Sequence, residues 1–258
     1  MIKFTIITCT FNAEKELPQT LQSVMRQDYP HVEHLIIDGA SKDNTLTYVQ
    51  KYQNSSETID NGHKILLISE SDKGLYDAMN KGLKKATGDF ILFLNAGDKF
   101  HDNNTLSLIV SAAEKEEKLP GIIYGNTNII NNEGKFLHPR RLHPPTTLSW
   151  KSFRKGMLVC HQAFFTSKEL TNNCLYNLSY HYSADFDWCI RIMKLAEQQK
   201  LPITNTNIII TDYLEGGLTT KNHRRSLLER FNIMVDHYGT FQTILLHLYF
   251  ILRAIGKK

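Results

Sequence analysis

Phe4-Thr-Ile-Ile-Thr-Cys-Thr-Phe-Asn12 is a β-branched, apolar run that stops abruptly in polar residues. Lys3 to Cys9 reads as a strand, because such side chains suit a pleated and buried ribbon. The segment that follows places Leu17, Leu21, Val24 and Met25 at spacings of four, three and one, which lines one face of a helix. Pro18 falls in the first turn of that helix, where its missing N–H removes no bond. The same alternation recurs three times. His34 to Asp38 precedes Ser41-Lys-Asp-Asn44, capping residues for a helix toward Gln53, and Lys64 to Ser69 precedes helical Leu75 to Ala86. Thr87-Gly-Asp89 breaks the chain before Phe90 to Leu94, after which Asp102, Asn103 and Asn104 cap a helix from Thr105 to Lys115. Strand and helix in regular alternation predict an α/β domain with a mostly parallel central sheet flanked by helices.

From Gly121 the texture changes. Strand-like Ile122 to Ile130 leads through an Asn-rich turn into a basic, proline-containing loop, His138-Pro-Arg-Arg-Leu-His-Pro-Pro145. This predicts two halves of one domain, 1–120 and 121–223. A short strand at Ala163 to Thr166, a helix from Ala184 to about Gln198 and a strand at Asn207 to Thr211 complete the second half, and residues 224–258 form a helical tail.

With 258 residues and 41% apolar side chains, the chain can bury a core of its own. A formal charge of +4 is that of an ordinary solvated surface and does not call for nucleic acid. Cys9, Cys160, Cys174 and Cys189 form no C-x-x-C pair and no Cys/His cluster, so neither a disulfide framework nor a structural zinc is expected. The first residues lack the basic and long apolar regions of a secretory signal, and no run has the roughly 18 apolar residues of a spanning helix. A cytoplasmic protein, soluble or peripheral on the inner membrane, is expected.

In a parallel α/β sheet, ligands bind beyond the carboxyl ends of the strands, where loop amides and helix N-termini gather. Four polar clusters fall there: Thr10 and Asn12, Asp38, Glu70-Ser-Asp-Lys73, and Asn95-Ala-Gly-Asp98. Neither G-x-G-x-x-G nor G-x-x-x-x-G-K-[ST] occurs at these turns, so a cation on a carboxylate is the expected phosphate holder.

These clusters resemble the motifs of glycosyltransferase family 2, the inverting enzymes of GT-A fold. The opening strand ending in Thr10-Phe-Asn12 is similar to that family's Thr-Tyr-Asn, and Ile36-Ile-Asp-Gly-Ala-Ser-Lys-Asp43 to its Val-Asp-Asp-Gly-Ser-Thr-Asp. Ser71-Asp-Lys-Gly-Leu-Tyr-Asp-Ala-Met-Asn80 and Ala86-Thr-Gly88 stand at the family's next landmarks, and Phe93-Leu-Asn-Ala-Gly-Asp98 resembles its Asp-x-Asp metal motif. Asn95 and Gly97 replace acids of that motif, which leaves Asp98 as its strong carboxylate. The wording is closest to bacterial transferases of capsule, exopolysaccharide and O-antigen assembly.

The resemblance implies a nucleotide-sugar donor, most simply a UDP-sugar, bound by Thr10, Phe11, Asn12, Asp38, Glu70, Asp72, Lys73, Asn80 and Asn95. It implies Mn²⁺ or Mg²⁺ on Asp98, and an acceptor saccharide, lipid-linked in this subgroup, contacted by His161, Gln162 and Trp188. Asp185 aligns with the general base, with Asp187 as the alternative. Glu215-Gly-Gly-Leu-Thr-Thr220 resembles a loop that covers the donor, and His223, Arg224 and Arg225 follow it. The apolar tail ending in Lys257 and Lys258 is expected to pack on the domain, pair two chains or lie in the membrane interface. Two rival expectations remain: a nucleotidyltransferase, and a noncatalytic nucleotide-sugar-binding module of the same fold.

Overall fold

The computed structural model describes residues 1–217 and 222–255, with side chains described as far as Phe250. Among them nine strands form one sheet in the order β3-β2-β1-β4-β8-β6-β9-β5, with β7 paired to β6. The first four are β1 (Phe4–Thr10), β2 (Val32–Asp38), β3 (Lys64–Ser69) and β4 (Phe90–Phe93), all parallel. Helices α1 (Leu17–Met25), α2 (Thr45–Ile59) and α3 (Leu75–Lys85) connect them. Thr10 pairs with Asp38 and Asp38 with Ser69, so the polar residues after β1, β2 and β3 share one edge.

The short β5 (Lys99–Phe100) leaves that half and pairs with β9 (Ile203–Leu214) at the far side of the sheet. After α4 (Thr105–Ala113), β6 (Ile122–Ile130) enters between β8 (Phe164–Ser167) and β9, with β7 (Phe136–Pro139) beside it. β8 runs antiparallel to both β4 and β6 and joins the two halves into a continuous sheet. β6 and β9 therefore run in the same direction as β1 to β4, and residues 120 and 121 lie between strands of one continuous sheet. β9 is longer than the expected Asn207–Thr211, because its whole length pairs with β6.

Past the short α5 (Lys168–Thr171) and α6 (Ala184–Gln198), the tail folds as α7 (His223–Tyr238) and α8 (Thr240–Ile255), broken at Gly239 with φ +85°. α7 is fastened to the body. Ile233 and Met234 are buried in the main core, and the Glu229 carboxylate accepts the backbone N–H groups of His181, Tyr182 and Ser183.

The Ala86-Thr-Gly88 turn fits against β1. A Cβ on Gly88 would lie 2.6 Å from the Thr5 nitrogen and 2.7 Å from the Phe4 carbonyl carbon, atoms that cannot rotate away. Gly88→Ala should cost roughly 1–3 kcal/mol of stability, the range for overpacking a core. An unchanged urea midpoint would show that β1 can shift.

Candidate active site

The carboxyl ends of β1 and β4 open into a cavity of about 560 Å³. Asp98, His161, Gln162, Asp185, Arg140 and Arg230 are among its walls. A second cavity of about 600 Å³ adjoins it, sharing Thr10, Phe11 and Tyr76 and adding Asp72, Lys73 and Tyr180 to Tyr182.

Asp98 sits on a turn built around Gly97, whose φ of +100° suits glycine and whose missing Cβ leaves room for Leu214. That explains why an acid is absent at 97. The Thr20 hydroxyl fixes the turn by donating to the Asp98 carbonyl and accepting from the Gly97 N–H. The Asp98 carboxylate accepts from Gln162 Nε2 at 2.9 Å and from the Leu214 N–H at 3.0 Å. It is only 3% exposed, and burial pushes its carboxyl up to about 6 against those two hydrogen bonds.

Asp185 occupies the first turn of α6, where helix amides favour a negative charge. Its Oδ2 lies 3.3 Å from His161 Nδ1, and its Oδ1 accepts from the Tyr76 hydroxyl at 3.2 Å. Burial alone would raise its carboxyl, but the His161 contact and the Arg230 charge outweigh burial and hold it below the ordinary range. Asp185 is therefore ionised at neutral pH. On the far side of the His161 ring, Nε2 lies 3.4 Å from Asn95 Nδ2.

Several expected site residues stand elsewhere. Asp187, two positions along the helix and about 200° around it, accepts from Arg191 Nε and pairs with His237 Nε2, both at 2.8 Å. It ties α6 to α7 and lines neither cavity. Trp188 is 1% exposed, stacks on Tyr176 at 4.8 Å and donates its indole N–H to the Cys174 carbonyl. Such a ring has no face left for a sugar. Asn80 is also turned inward, accepting from the Tyr176 N–H and donating to its carbonyl. Tyr176 in turn stacks on Tyr76 at 5.5 Å. Asn80 and Trp188 therefore build the stack that carries Tyr76 to Asp185, one step removed from any ligand.

On the donor side, Thr10, Phe11, Asn12 and Asn95 line the first cavity, while Asp72 and Lys73 line the second. The Phe11 ring is 62% exposed, and the Thr10 hydroxyl and the Asn95 side-chain oxygen Oδ1 are buried without a partner. Asp38 lines neither cavity: it is fully buried, and Ser41 and Ser69 occupy its carboxylate. Glu70 points to solvent and pairs with Lys81 at 3.0 Å. Glu215 to Gly217 close the far rim of the first cavity, and Leu218 to Thr220 lie outside the described residues. Arg225 donates to the Tyr182 hydroxyl, beside the second cavity.

The model of glycosyl transferase family 2 matches residues 5–174. The chain belongs to this family. The family 2 chain is 31% identical over 229 residues to a PGL/p-HBAD biosynthesis glycosyltransferase of Mycobacterium bovis, covering 88% of this chain and 83% of the relative. It is 35% identical over 141 residues to the Escherichia coli UDP-Glc:alpha-D-GlcNAc-diphosphoundecaprenol beta-1,3-glucosyltransferase WfgD, covering 54% of this chain and 52% of that one. Among solved structures, S. aureus TarS 1-349 in complex with UDP-GlcNAc superposes with a TM-score of 0.68 at 19% identity, over 90% of this chain and 64% of that one. A mannosyltransferase of Pyrobaculum calidifontis in complex with GDP-Man and Mn²⁺ gives 0.65 at 17% identity, over 96% and 70%. The fold is that of the GT-A glycosyltransferases, and the enzyme is a glycosyltransferase rather than a nucleotidyltransferase.

Sequence reading missed Tyr76, Arg140, Tyr213 and Arg230 among the walls of the first cavity. Tyr76 lay inside the Ser71 to Asn80 motif and Arg140 in the basic loop, whereas Arg230 carried no local signal.

The Asp98 carboxyl titrates higher in the fold than in the unfolded chain, so the folded protein holds a proton that the unfolded chain releases. Its contribution to stability therefore declines as pH rises from about 4 to about 6. In chelator, wild type should lose on the order of 2–3 kcal/mol more over that window than Asp98→Asn. Parallel stability profiles would show that Asp98 ionises at its ordinary value.

Proposed function

We propose that this glycosyltransferase moves a sugar from a nucleotide-sugar donor, a UDP-sugar, to a hydroxyl of a lipid-linked saccharide in surface glycan assembly, with inversion at the anomeric carbon. The observation that carries the reading is that two buried carboxylates with opposed environments, Asp185 and Asp98, line one cavity. UDP-GlcNAc and UDP-glucose in the descriptions of TarS and WfgD support the choice of donor.

Asp185 is the base. Ionised and oriented by His161 and Tyr76, it takes the proton of the acceptor hydroxyl as that oxygen bonds to the anomeric carbon and the bond to the nucleoside diphosphate breaks. No covalent glycosyl-enzyme is required. Asp98 would hold the divalent cation, Mn²⁺ or Mg²⁺. The donor set fits: a buried carboxylate that has no cationic ion-pair partner among the described residues faces the cavity and has lone pairs free beyond its two hydrogen bonds to Gln162 and Leu214. Among the described residues no group of three acids, histidines or cysteines surrounds it, so diphosphate oxygens and water would complete the shell. When bound, the cation supplies Lewis-acid stabilisation of the departing diphosphate. The base and ribose of the donor belong in the second cavity, where the Phe11 ring offers a stacking face and Asp72 an acceptor.

Asp185→Asn should lower turnover by roughly 10²-fold or more while UDP affinity stays within about twofold, since a positioned base contributes that much to the chemical step. Near-normal turnover in a radiolabelled-sugar transfer assay would remove Asp185 from the role.

The lipid-linked acceptor fits the outer face of α8. Phe241, Ile244, Leu245, Leu248 and Tyr249 are 45–78% exposed, at the spacing of one helical face. From His237 to Lys258 the sequence has no acid, and Arg224 and Arg225 are exposed at the start of α7. No described helix is long and apolar enough to cross a membrane, so this face would lie in the interface of an anionic bilayer. Wild type should float with vesicles containing anionic lipid, and a variant with Ile244→Glu, Leu245→Glu and Leu248→Glu should not. Failure of wild type to float, with dimerisation that the same variant abolishes, would assign the face to a second copy.

A further inference from the structure

Two guanidinium groups line the first cavity without a close ion pair among the described residues. Arg140 stands just past β7 and donates to the carbonyls of Leu142, Met157 and Leu158 at 2.7–3.2 Å. These neutral partners aim the group without neutralising it, and no carboxylate pairs with it among the described residues. Arg230 reaches the cavity from α7 with its Nε buried and unpartnered. Its guanidinium carbon lies 5.7 Å from the centre of the Phe186 ring, and its charge is felt at Asp185. No carboxylate lies within ion-pairing distance of it among the described residues.

Both side chains are half-buried on the cavity wall, so an anion entering the cavity would meet them partly shielded from water, where charge pairing is stronger. Arginine's planar fork suits the oxygens of a phosphate, and hydrogen bonds between such charged groups are about twice as strong as neutral ones. Both arginines come from the chain after residue 121, as do Asp185 and His161, whereas Asp98 comes from the turn after β4. The cavity therefore has two separate means of holding negative charge. One is the carboxylate turn, which needs a cation as intermediary, and the other is the two guanidinium groups on the cavity walls, of which Arg230 is felt at Asp185.

We propose that Arg140 and Arg230 form a phosphate-binding subsite next to Asp185, separate from the cation carboxylate at Asp98. Its ligand is a diphosphate ester, either the one carried by a sugar diphosphate acceptor or the one leaving with the nucleoside. The inference extends the proposed transfer reaction by naming where an anionic acceptor is gripped. A diphosphate anchored there would hold the acceptor sugar with a hydroxyl turned toward Asp185.

The test is calorimetric titration with inorganic pyrophosphate in excess chelator, which removes any contribution from a cation at Asp98 and does not depend on turnover. Wild type should bind, and Arg230→Gln should bind about tenfold more weakly or worse, as expected on losing a charge-assisted contact. Arg230→Gln should still fold, because its Nε has no partner to lose, and thermal melts verify this. Arg140→Lys keeps the charge but loses the fork, and should also weaken binding. Repeating the titrations with UDP and with a short-chain alkyl sugar 1-diphosphate identifies the source. Weakening confined to the sugar diphosphate assigns the subsite to the acceptor, and equal weakening of UDP assigns it to the leaving group. Pyrophosphate binding that is absent in wild type, or unchanged in both folded variants, overturns the subsite. In either case the effect of Asp185→Asn on turnover stands independently.

Discussion

The site depends on one buried carboxylate being held by two groups that are distant in sequence. Asp98 accepts from the Gln162 side chain and the Leu214 backbone, so the turn after β4, the segment before β8 and the end of β9 meet at a single acidic group. Charge on that group is costly, as its raised proton affinity shows, and two hydrogen bonds do not offset the loss of water. The enzyme therefore keeps an electrostatically incomplete centre in a rigid frame. A cation arriving with its diphosphate would complete it, which accounts for a glycosyltransferase managing with a single acid where a richer motif is expected.

The frame was legible in the sequence because it follows local rules. Strand and helix periods gave the parallel half, and the register of Thr10 with Asp38 and Ser69 puts three polar strand ends on one edge. Long-range satisfaction was not legible. Asp38 stands at a strand end like any ligand-binding acid, yet Ser41 and Ser69 fill its carboxylate because the following loop folds back over it. Asp185 and Asp187 look equivalent in sequence, and the fold separates them by pairing Asp187 with Arg191 and His237, the latter on a helix that begins more than thirty residues later. No periodicity contains that information.

The aromatic stack shows how packing becomes chemistry. Trp188, Tyr176 and Tyr76 lie face over face, and Asn80 clamps the backbone of Tyr176 from both sides. Each ring has two torsions to fix, and stacking with a backbone clamp fixes them at modest entropic cost. The outcome is a hydroxyl delivered to Asp185 from α3, an element of the donor half. Asn80 and Trp188 are thus coupled to the cavity through Tyr176 and Tyr76, a connection that sequence reading could not supply.

The balance of charge in the cavity explains why α7 belongs to the catalytic body. Asp185 is buried, with the His161 ring 3.3 Å from its Oδ2. Arg230 is permanently charged, and it lowers the proton affinity of Asp185 from a helix that reads, by sequence, as an appendage. A base kept ionised by a cation gives up some basicity, and it recovers effectiveness only if the acceptor hydroxyl is held in line and its proton leaves late in the displacement. An arginine that both maintains the charge on Asp185 and grips an anionic acceptor would meet the two requirements with one side chain. On that argument the tail cannot be removed without altering the base, because the helix carrying Arg230 also supplies the His237 that turns Asp187 away from the cavity.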